Sequence, residues 1–292
     1  MPPLITLTPD KPVGRKQIII SSAVKMVAQK YNIPLEQPSK IENCKLKIEN
    51  LKPNLIIVAA YNQILPKEIL KIPKYGCLNI HPSLLSKYRG PTPIQFAILN
   101  GDKKTGVTII LMDEKIDHGP ILAQQELEFL ISNFQFSNLH DKLAKLGADF
   151  LIETIPQWLK GKIKPKPQNH SQATYTKILK KDDGKINWKK SSEEIERQIR
   201  AFEIWPGSFT FWQKNNKLLR IKILKAKILK SIDSQNYFFG QTLISSKNEL
   251  SVRCKKGFLI IEKLQLEGKK EMTSKEFIRG HPDFIGTILK YD

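Results

Sequence analysis

Asn79 and His81 end a short apolar run in the stretch LNIHPSLLSKYRGPTP, residues 78–93. Residues two apart on a β-strand project from the same face, so these two side chains are expected to lie side by side. A neutral imidazole can accept and return a proton near pH 7. An amide N–H can donate a hydrogen bond to an oxygen that gains negative charge. The pair therefore has the chemistry that acyl transfer requires.

A catalytic imidazole usually has a carboxylate beside it, and the stretch MDEKIDHGPI supplies several candidates. Asp117 is one of them, and Asp113, Glu114 and His118 lie in the same stretch. Spacing along the chain does not choose among them. The structural alternative is a histidine that only satisfies a hydrogen bond near a strand end, with Asp117 as an ordinary turn residue.

The three cysteines, Cys44, Cys77 and Cys254, are far apart and form no CxxC or Cys/His ligand pattern. This spacing argues against a zinc site and against a disulfide framework, so we expect no metal and a reducing compartment. Cys77 shares a strand face with Asn79, but a cysteine in an apolar strand is more often inert packing than a nucleophile.

The charge of the chain is strongly positive, with 48 Lys and Arg against 28 Asp and Glu and a sequence pI near 9.7. Such a field attracts polyanions, of which nucleic acid is the usual one. The alternative is a lysine-rich solvated surface that binds nothing. Composition alone leaves both interpretations open.

Three apolar runs and a fourth, alternating run predict three buried strands and one outer strand in the first half of the chain, with helical patterns among them. Their residues are 54–61, 76–81, 105–112 and 119–129, with helices expected at residues 21–31, 92–99 and 138–159. Strands that alternate with helices predict an α/β fold with a Rossmann-like, mostly parallel sheet. Ligands bind at the carboxyl ends of the strands in such sheets, where the Asn79 and His81 pair is expected.

The sequence changes character after residue 160. Residues 160–190 contain ten lysines and two aspartates, and they read as an extended basic linker. Capping boxes at Ser191 and Thr273 predict two short helices, and four short apolar runs between them predict a small OB-like β-barrel. We therefore predict a catalytic domain at residues 1–160, a linker at 161–190 and a C-terminal β-domain at 191–292.

Taken together, these motifs resemble the formyltransferases that use 10-formyltetrahydrofolate. The likeness lies in NIH (79–81), SLLSKYRG (83–90) and DHG (117–119), and further in PDKPVGR, AAYNQILP, ATYTKI, INW and IRAFEIWPGS. It covers nearly the whole chain, both predicted domains included. The resemblance implies that Asn79, His81 and Asp117 are the catalytic residues, and it thereby selects Asp117 among the acids.

The resemblance also implies a co-substrate and a partner. The co-substrate is 10-formyltetrahydrofolate, with predicted contacts at Ala60, Tyr61, Asn62, Gln63, Ile64, Leu65, Ser83, Leu84, Leu85, Met112, Asp113 and Gly119. The acceptor is the α-amine of methionine on initiator tRNA, with predicted tRNA contacts at Arg15, Lys16, Arg89, Lys162, Lys164, Lys180, Lys181, Arg220 and Lys222. From Lys214 to Lys230 the chain has seven basic residues and no acid. We expect a monomer.

Three features depart from the family pattern. Asn62 stands where relatives have Gly, and Asn tolerates a positive φ. Ser86 replaces a Pro, which is expected to loosen the SLLSKYRG loop slightly. Relatives carry about one strand and one helix before TPDKP, so we expect an incomplete sheet with lowered stability and activity.

Two other functions stay open. An enzyme that formylates an amino sugar nucleotide would share the three predicted catalytic residues, and an RNA-binding protein without catalysis would explain the charge. No apolar run is long enough for a membrane span and no secretory or transit signal is visible, so we expect a bacterial cytoplasm rather than an organelle.

Overall fold

The computed structural model describes residues 3–13, 17–127, 134–229 and 236–290. The chain packs into two compact units, and each is built from several stretches. The first unit comprises Met1–Arg89, Gly106–Gln125 and Leu146–Thr174, and the second comprises Gly90–Thr105, Glu126–Lys145 and Tyr175–Asp292. The units alternate along the chain, whereas the sequence predicted consecutive domains, and the domain boundaries at residues 160 and 190 stay a prediction.

The strands and helices of the described residues up to 127 are short. They are β1 (Ile5–Thr6), β2 (Pro12–Val13), β3 (Ile18–Ile19), α1 (Ala23–Lys30), β4 (Leu35–Glu36), α2 (Lys45–Leu51), β5 (Ile56–Val58), α3 (Lys67–Leu70), β6 (Cys77–His81), α4 (Pro93–Leu99), β7 (Gly106–Leu111) and β8 (Ile121–Glu126).

Longer elements follow. They are α5 (Phe136–Leu159), α6 (Ser192–Ala201), β9 (Ser208–Lys214), β10 (Lys217–Leu229), β11 (Thr242–Ile244), β12 (Leu250–Arg253), β13 (Phe258–Leu266), β14 (Met272–Thr273) and α7 (Ser274–Gly280). Both predicted capping boxes are confirmed. The side chains of Ser191 and Thr273 accept hydrogen bonds from the backbone N–H groups of Glu194 and Glu276, and the backbone N–H groups of Ser191 and Thr273 donate to the two Glu carboxylates in return. No helix of the described residues is long and apolar enough to cross a membrane.

A four-stranded sheet in the order β5, β6, β7, β8 is the frame of the first unit. β5 and β6 run parallel, with Val58 opposite Asn79, and β1 and β4 also run parallel. β6 and β7 run antiparallel, with His81 opposite Thr108. The predicted α/β fold with parallel strands is thus found, but parallel pairing does not extend to β7. A parallel crossover needs its helix to pack on the same sheet, whereas α4 belongs to the second unit.

An antiparallel sheet in the order β11, β12, β13, β10, β9 dominates the second unit, and β14 pairs with β13. α6 and α7 pack on it around one core that contains the buried side chains of Trp212 and Phe277. Among the described residues the edge strands β9 and β11 share no ladder, so the sheet does not close strand to strand as an OB-like barrel would. The C-terminal segment reaches both edge regions instead, because Lys290 bridges to Phe211 in β9 and Ile288 bridges to Gln241 beside β11.

The segment predicted as a linker, residues 161–190, is largely exposed but is anchored by several buried side chains. Gln168, Leu179, Ile186 and Trp188 are all buried, and short 3-10 helices occur at His170–Gln172 and Lys181–Gly184. Apolar side chains recur between the lysines, and their burial fixes the backbone of a stretch whose charge suggested an extended solvated chain.

Candidate active site

Strand β6 presents Asn79 and His81 on one face and Leu78 and Ile80 on the other, as the alternation of a strand requires. The Leu78 face is covered by α5, since Phe150 and Leu151 of that helix pack against the apolar cluster that contains Leu78. The helix comes close on this side, because a Cβ added at Gly147 would lie 3.0 Å from Ile80. Asn79 and His81 therefore project away from α5.

The ring of His81 is held by a backbone carbonyl. Its Nε2 atom lies 2.8 Å from the carbonyl oxygen of Tyr88, and the residue is only 4% exposed. A carbonyl oxygen can only accept, so Nε2 carries the proton and donates it to this bond. The neutral ring then has its lone pair on Nδ1. Burial lowers the pKa of His81, while the charge of Asp117 and the bond to Tyr88 oppose that shift, so the ring is neutral at pH 7.

The carboxylate of Asp117 meets both side chains of the strand pair. Its Oδ1 atom accepts a hydrogen bond from Nδ2 of Asn79 at 3.1 Å, and Oδ2 lies 3.5 Å from Nδ1 of His81. Asp113 is bonded elsewhere, because its carboxylate contacts Nδ1 of His118 at 2.6 Å. The structure thus brings together the three residues that were predicted to be catalytic.

The loop that carries Asp117 has a demanding backbone. Asp117 itself has φ +48°, in the left-handed region that few side-chain-bearing residues adopt. At Gly119, an added Cβ would lie 1.9 Å from the carbonyl oxygen of Leu111, so only glycine fits there. This tight return brings Asp117 back over β6 after β7 has ended.

The arrangement can move a proton and stabilise an anion. Nδ1 of the neutral His81 can accept a proton from an attacking nucleophile, and the resulting imidazolium would lie beside the Asp117 carboxylate. Asn79 donates one amide N–H to Asp117 and has a second N–H that can bond to a substrate oxygen. The side chains thus suit attack by a neutral nucleophile on a carbonyl carbon.

The loop after β6 is fixed by hydrogen bonds to the neighbouring strands. Thr108 donates to the Ser83 carbonyl at 2.6 Å and accepts from the Leu85 N–H at 3.1 Å, and Gln124 donates to the Leu85 carbonyl at 2.9 Å. These bonds tie down the loop just before the position where Ser86 replaces a Pro. Ser83 and Leu85 are buried and their polar backbone groups are bonded within the protein, which does not fit their predicted folate contacts.

The predicted folate residues after β5 divide into two sets. Ala60, Asn62 and Ile64 are exposed, with Ile64 at 69%. Leu65 is buried in the core and Tyr61 packs against it. The positive φ of this turn falls on Ala60, at +48°, and not on Asn62 as the family comparison suggested.

The other predicted folate residues have structural bonds of their own. Gln63 accepts the N–H of Ile41 at 2.7 Å, and Met112 donates its N–H to the carbonyl of Cys77 at 2.8 Å. Leu84 is half-buried, and its side chain packs so closely on Gly106 that a Cβ added there would lie only 2.6 Å from it.

The predicted tRNA contacts also divide. Lys162, Lys164, Lys180 and Lys181 are exposed, whereas Arg220 and Lys222 are half-buried. The guanidinium of Arg220 stacks 3.7 Å from the Phe209 ring. Arg15 and Lys16 lie outside the described residues.

Arg89 is the clear correction to the predicted tRNA contacts. It is 1% exposed, and its guanidinium is bonded to Gln168 and His170. A buried guanidinium with these bonds cannot reach the phosphate backbone of a bound polynucleotide. The positive charge of Arg89, in the SLLSKYRG stretch, therefore lies in the interior of the first unit.

Two groups of this site were not predicted from the sequence. The carbonyl of Tyr88 orients His81, and Gln168 donates to the backbone of the Asp117 loop. A backbone carbonyl has no signature in residue type. The only local signal at Gln168 is an uncharged amide in a run rich in lysine. Burial raises the pKa of the Cys77 thiol to about 12, which fits its expected packing role.

Metal ligands are not grouped at this site. The described parts of the chain contain no cluster of three or more His, Cys, Asp or Glu side chains that could hold a metal ion. The side chains around β6 that could contact a co-substrate are the Asn79 amide and the exposed residues of the two neighbouring loops.

Comparison with known protein families defines the class. Residues 4–155 match the family model described as formyl transferase, and residues 178–282 match the model of the formyl transferase C-terminal domain. The chain belongs to the formyl transferase family. Its similarity to curated members extends over nearly its whole length.

Two relatives and one solved structure illustrate that similarity. The methionyl-tRNA formyltransferase of Thermodesulfovibrio yellowstonii is 44% identical over 95% of this chain and 87% of its own. That of Caldicellulosiruptor saccharolyticus is 41% identical over 98% of this chain and 91% of its own. The crystal structure of WlaRD, a sugar 3N-formyl transferase, in the presence of dTDP and 5-N-formyl-THF, matches with a TM-score of 0.60 and 26% identity, over 91% of this chain and 88% of WlaRD.

Proposed function

We propose that this protein transfers the formyl group of 10-formyltetrahydrofolate to the α-amine of methionine esterified to initiator tRNA, for the initiation of translation. The observation that carries the proposal is the Asn79, His81 and Asp117 constellation in a chain of which 95% aligns with a methionyl-tRNA formyltransferase at 44% identity. The net charge of +20 agrees with a polyanionic substrate.

His81 acts as the proton acceptor. Its Nε2–H is committed to Tyr88, so Nδ1 takes the proton that the methionine amine loses as its nitrogen bonds to the formyl carbon. His81 then returns this proton to N10 of the folate as the bond between N10 and the formyl carbon breaks and tetrahydrofolate leaves. Asp117 stabilises the imidazolium that results, because its Oδ2 atom is 3.5 Å from Nδ1. Asn79, held by Oδ1 of Asp117, donates its second N–H to the formyl oxygen as negative charge develops there.

The residues around β6 fit a folate co-substrate. When bound, 10-formyltetrahydrofolate supplies an activated formyl group, so no covalent enzyme intermediate and no cysteine nucleophile is needed. Ile64 and Ile116 are 69% and 58% exposed on the two loops, residues 60–65 and 112–119, that contain predicted folate contacts, and apolar side chains suit the planar rings of its pyrimidine and benzoyl groups. Ala60, Asn62 and Met112 would contact it mainly through their backbone. Gly119 is buried and its carbonyl accepts a hydrogen bond from Gln168, so it shapes the loop and does not fit its predicted folate contact.

The exposed lysines would track the tRNA phosphates. Lys162, Lys164, Lys180 and Lys181 carry this role in our proposal, together with Lys222 and the predicted contacts Arg15 and Lys16. We further propose that the protein acts as a monomer in the bacterial cytoplasm. The C-terminal β-domain would be an OB-like barrel, and the bridges from residues 288 and 290 to its two edge regions support that fold.

Formylation of an amino sugar nucleotide is the second candidate, because WlaRD resembles this chain over most of both proteins. The test is transfer of radiolabelled formyl from 10-formyltetrahydrofolate to methionyl initiator tRNA and, in parallel, to an amino sugar nucleotide. We expect product with tRNA only, and loss of turnover in His81→Ala but not in His140→Ala, a control in an exposed histidine of α5.

Other results would separate the alternatives. Product with the sugar nucleotide alone would replace the proposed acceptor. If the folded wild-type protein binds tRNA but transfers no formyl group, and the His81→Ala variant binds tRNA with the same affinity, the protein is an RNA-binding protein without this catalysis.

A further inference from the structure

Gln168 is the centre of a hydrogen-bonded chain that ends at the Asp117 loop. Its Nε2 atom donates to the backbone carbonyls of Asp117 and Gly119, both at 2.8 Å. Its Oε1 atom accepts from Nε and Nη2 of Arg89, at 3.2 and 2.7 Å. Gln168 is 5% exposed and Arg89 is 1% exposed, so water does not compete for these bonds.

The chemistry of the partners fixes the orientation of the Gln168 amide. Backbone carbonyls can only accept hydrogen bonds, and a guanidinium can only donate them. The NH₂ group must therefore face the two carbonyls, and the oxygen must face Arg89. A reversed amide would lose all four bonds at once, so Arg89 determines which end of Gln168 is presented to the loop.

The two carbonyls that Gln168 holds belong to the residue with the unfavourable backbone conformation, Asp117, and to Gly119 two residues later. Asp117 has φ +48°, a conformation that a residue with a side chain keeps only when its surroundings enforce it. A rotation of this backbone would swing the carboxylate away from Asn79 and His81. The bonds from Gln168 oppose that rotation at Asp117 and again two residues later.

The stretch that contains Gln168, residues 166–174, is tied at both ends to the site. Lys166 and Ile121 exchange two backbone hydrogen bonds of 2.8 Å, just after the Asp117 loop. At the other end, the N–H of Tyr88 donates to Oγ1 of Thr174 at 2.8 Å. One stretch therefore supports both the Asp117 loop and the residue whose carbonyl orients His81.

We propose that Gln168, oriented by Arg89, is a positioning residue for formyl transfer, which holds the Asp117 carboxylate between Asn79 and His81. The part of this inference that concerns catalysis rests on the proposed function. The placement of Asp117 does not, and it can be measured separately.

The kinetic test compares three variants. Gln168→Ala removes the whole amide, and Gln168→Glu keeps the size and the acceptor for Arg89 but loses both N–H donors. Gln172→Ala is the matched control, an exposed glutamine four residues further along. We expect both Gln168 variants to lower kcat about 10- to 100-fold, the cost of a misplaced catalytic group, with both KM values within about twofold of wild type.

A spectroscopic test reads the site without turnover. The protein has five histidines, so the ring signals of His81 can be assigned by comparison with His81→Ala in ¹⁵N-histidine-labelled protein. The Asp117 charge raises the pKa of His81 against the effect of burial. We therefore expect His81 to titrate about half a pH unit lower or more in Gln168→Ala, and at the wild-type pH in Gln172→Ala.

The outcomes separate this inference from the proposed function. Wild-type titration of His81 and wild-type kcat in a folded Gln168→Ala protein would overturn the positioning role. A wild-type protein that transfers no formyl group would overturn the proposed function, and the His81 titration would still decide whether Gln168 places Asp117. If Gln168→Ala does not fold, Gln168→Glu gives the answer.

Discussion

Strands β6 and β10 both mix polar with apolar side chains, but they satisfy their polar groups in different ways. On β6, His81 is buried and each of its ring nitrogens faces a specific group, the Tyr88 carbonyl or the Asp117 carboxylate. On β10, Ile221 and Ile223 are buried, Lys225 and Lys227 are exposed, and the half-buried Arg220 stacks on the Phe209 ring. Alternation along the strand is enough to place the side chains of β10. The polar side chains of β6 also need hydrogen-bonding groups that are far away in the sequence.

The charge of β10 is also lower in the structure than the sequence suggests. Residues 214–230 contain no acid, yet Lys225 pairs with Glu262 of β13 at 3.2 Å and Lys227 pairs with Glu249 at 2.7 Å. Lys214 pairs with Asp283 at 2.9 Å. Neighbouring segments thus compensate part of the charge that a count along the chain assigns to this strand. Charge density read from a single strand overstates what is free for a polyanion.

The largest expected effect tests whether β6 acts through directed hydrogen bonds. Asn79→Ala removes the donor to the formyl oxygen and one bond to Asp117, so kcat should fall about 100- to 1000-fold. Single-turnover formyl transfer measures it, and Asn54→Ala, an exposed position before β5, is the control. A decrease in kcat of less than about tenfold would mean that Asn79 does not act on the formyl oxygen.

A pH profile tests the electrostatic link between Asp117 and His81. Burial lowers the pKa of His81 and Asp117 raises it again, so Asp117→Asn should lower that pKa further. His81 must be neutral to accept a proton, and the variant keeps it neutral to lower pH. The ratio of kcat/KM in Asp117→Asn to that in wild type should therefore rise as the pH falls through the titration of His81 in the wild-type protein.

Division by the wild-type rate cancels the titration of the methionine amine, which both proteins share. A ratio that stays flat, or falls with falling pH, would show that Asp117 does not act on the protonation of His81.

The smallest expected effect is on tRNA binding, and it tests how much the ion pairs of β10 reduce the contribution of its lysines. Lys222→Ala should weaken tRNA binding about two- to threefold and reduce the salt dependence of log Kd by about one ion. Lys225→Ala, on the same strand but paired with Glu262, should change both quantities less. Binding measured at several salt concentrations checks this, and equal losses in the two variants would mean that the ion pair does not compensate Lys225.

Local features were predicted well because their causes are local. The capping boxes at Ser191 and Thr273 depend on residues three positions apart, and the strand at residues 76–81 follows from a short apolar run. The antiparallel pairing of β7 was missed because strand direction depends on where α4 packs. The tRNA role predicted for Arg89 failed because burial is a property of the whole unit.

By itself, the sequence determined the types of group available for chemistry and the family to which they belong. Asn79 and His81 share a face because a strand has a period of two residues, and the resemblance selected Asp117. Only the tertiary structure decided which nitrogen of His81 carries the proton, because that depends on the Tyr88 carbonyl. It alone showed that Gln168 supports the Asp117 loop. Hydrogen bonds to backbone atoms depend on distance and direction, and neither is encoded in residue type.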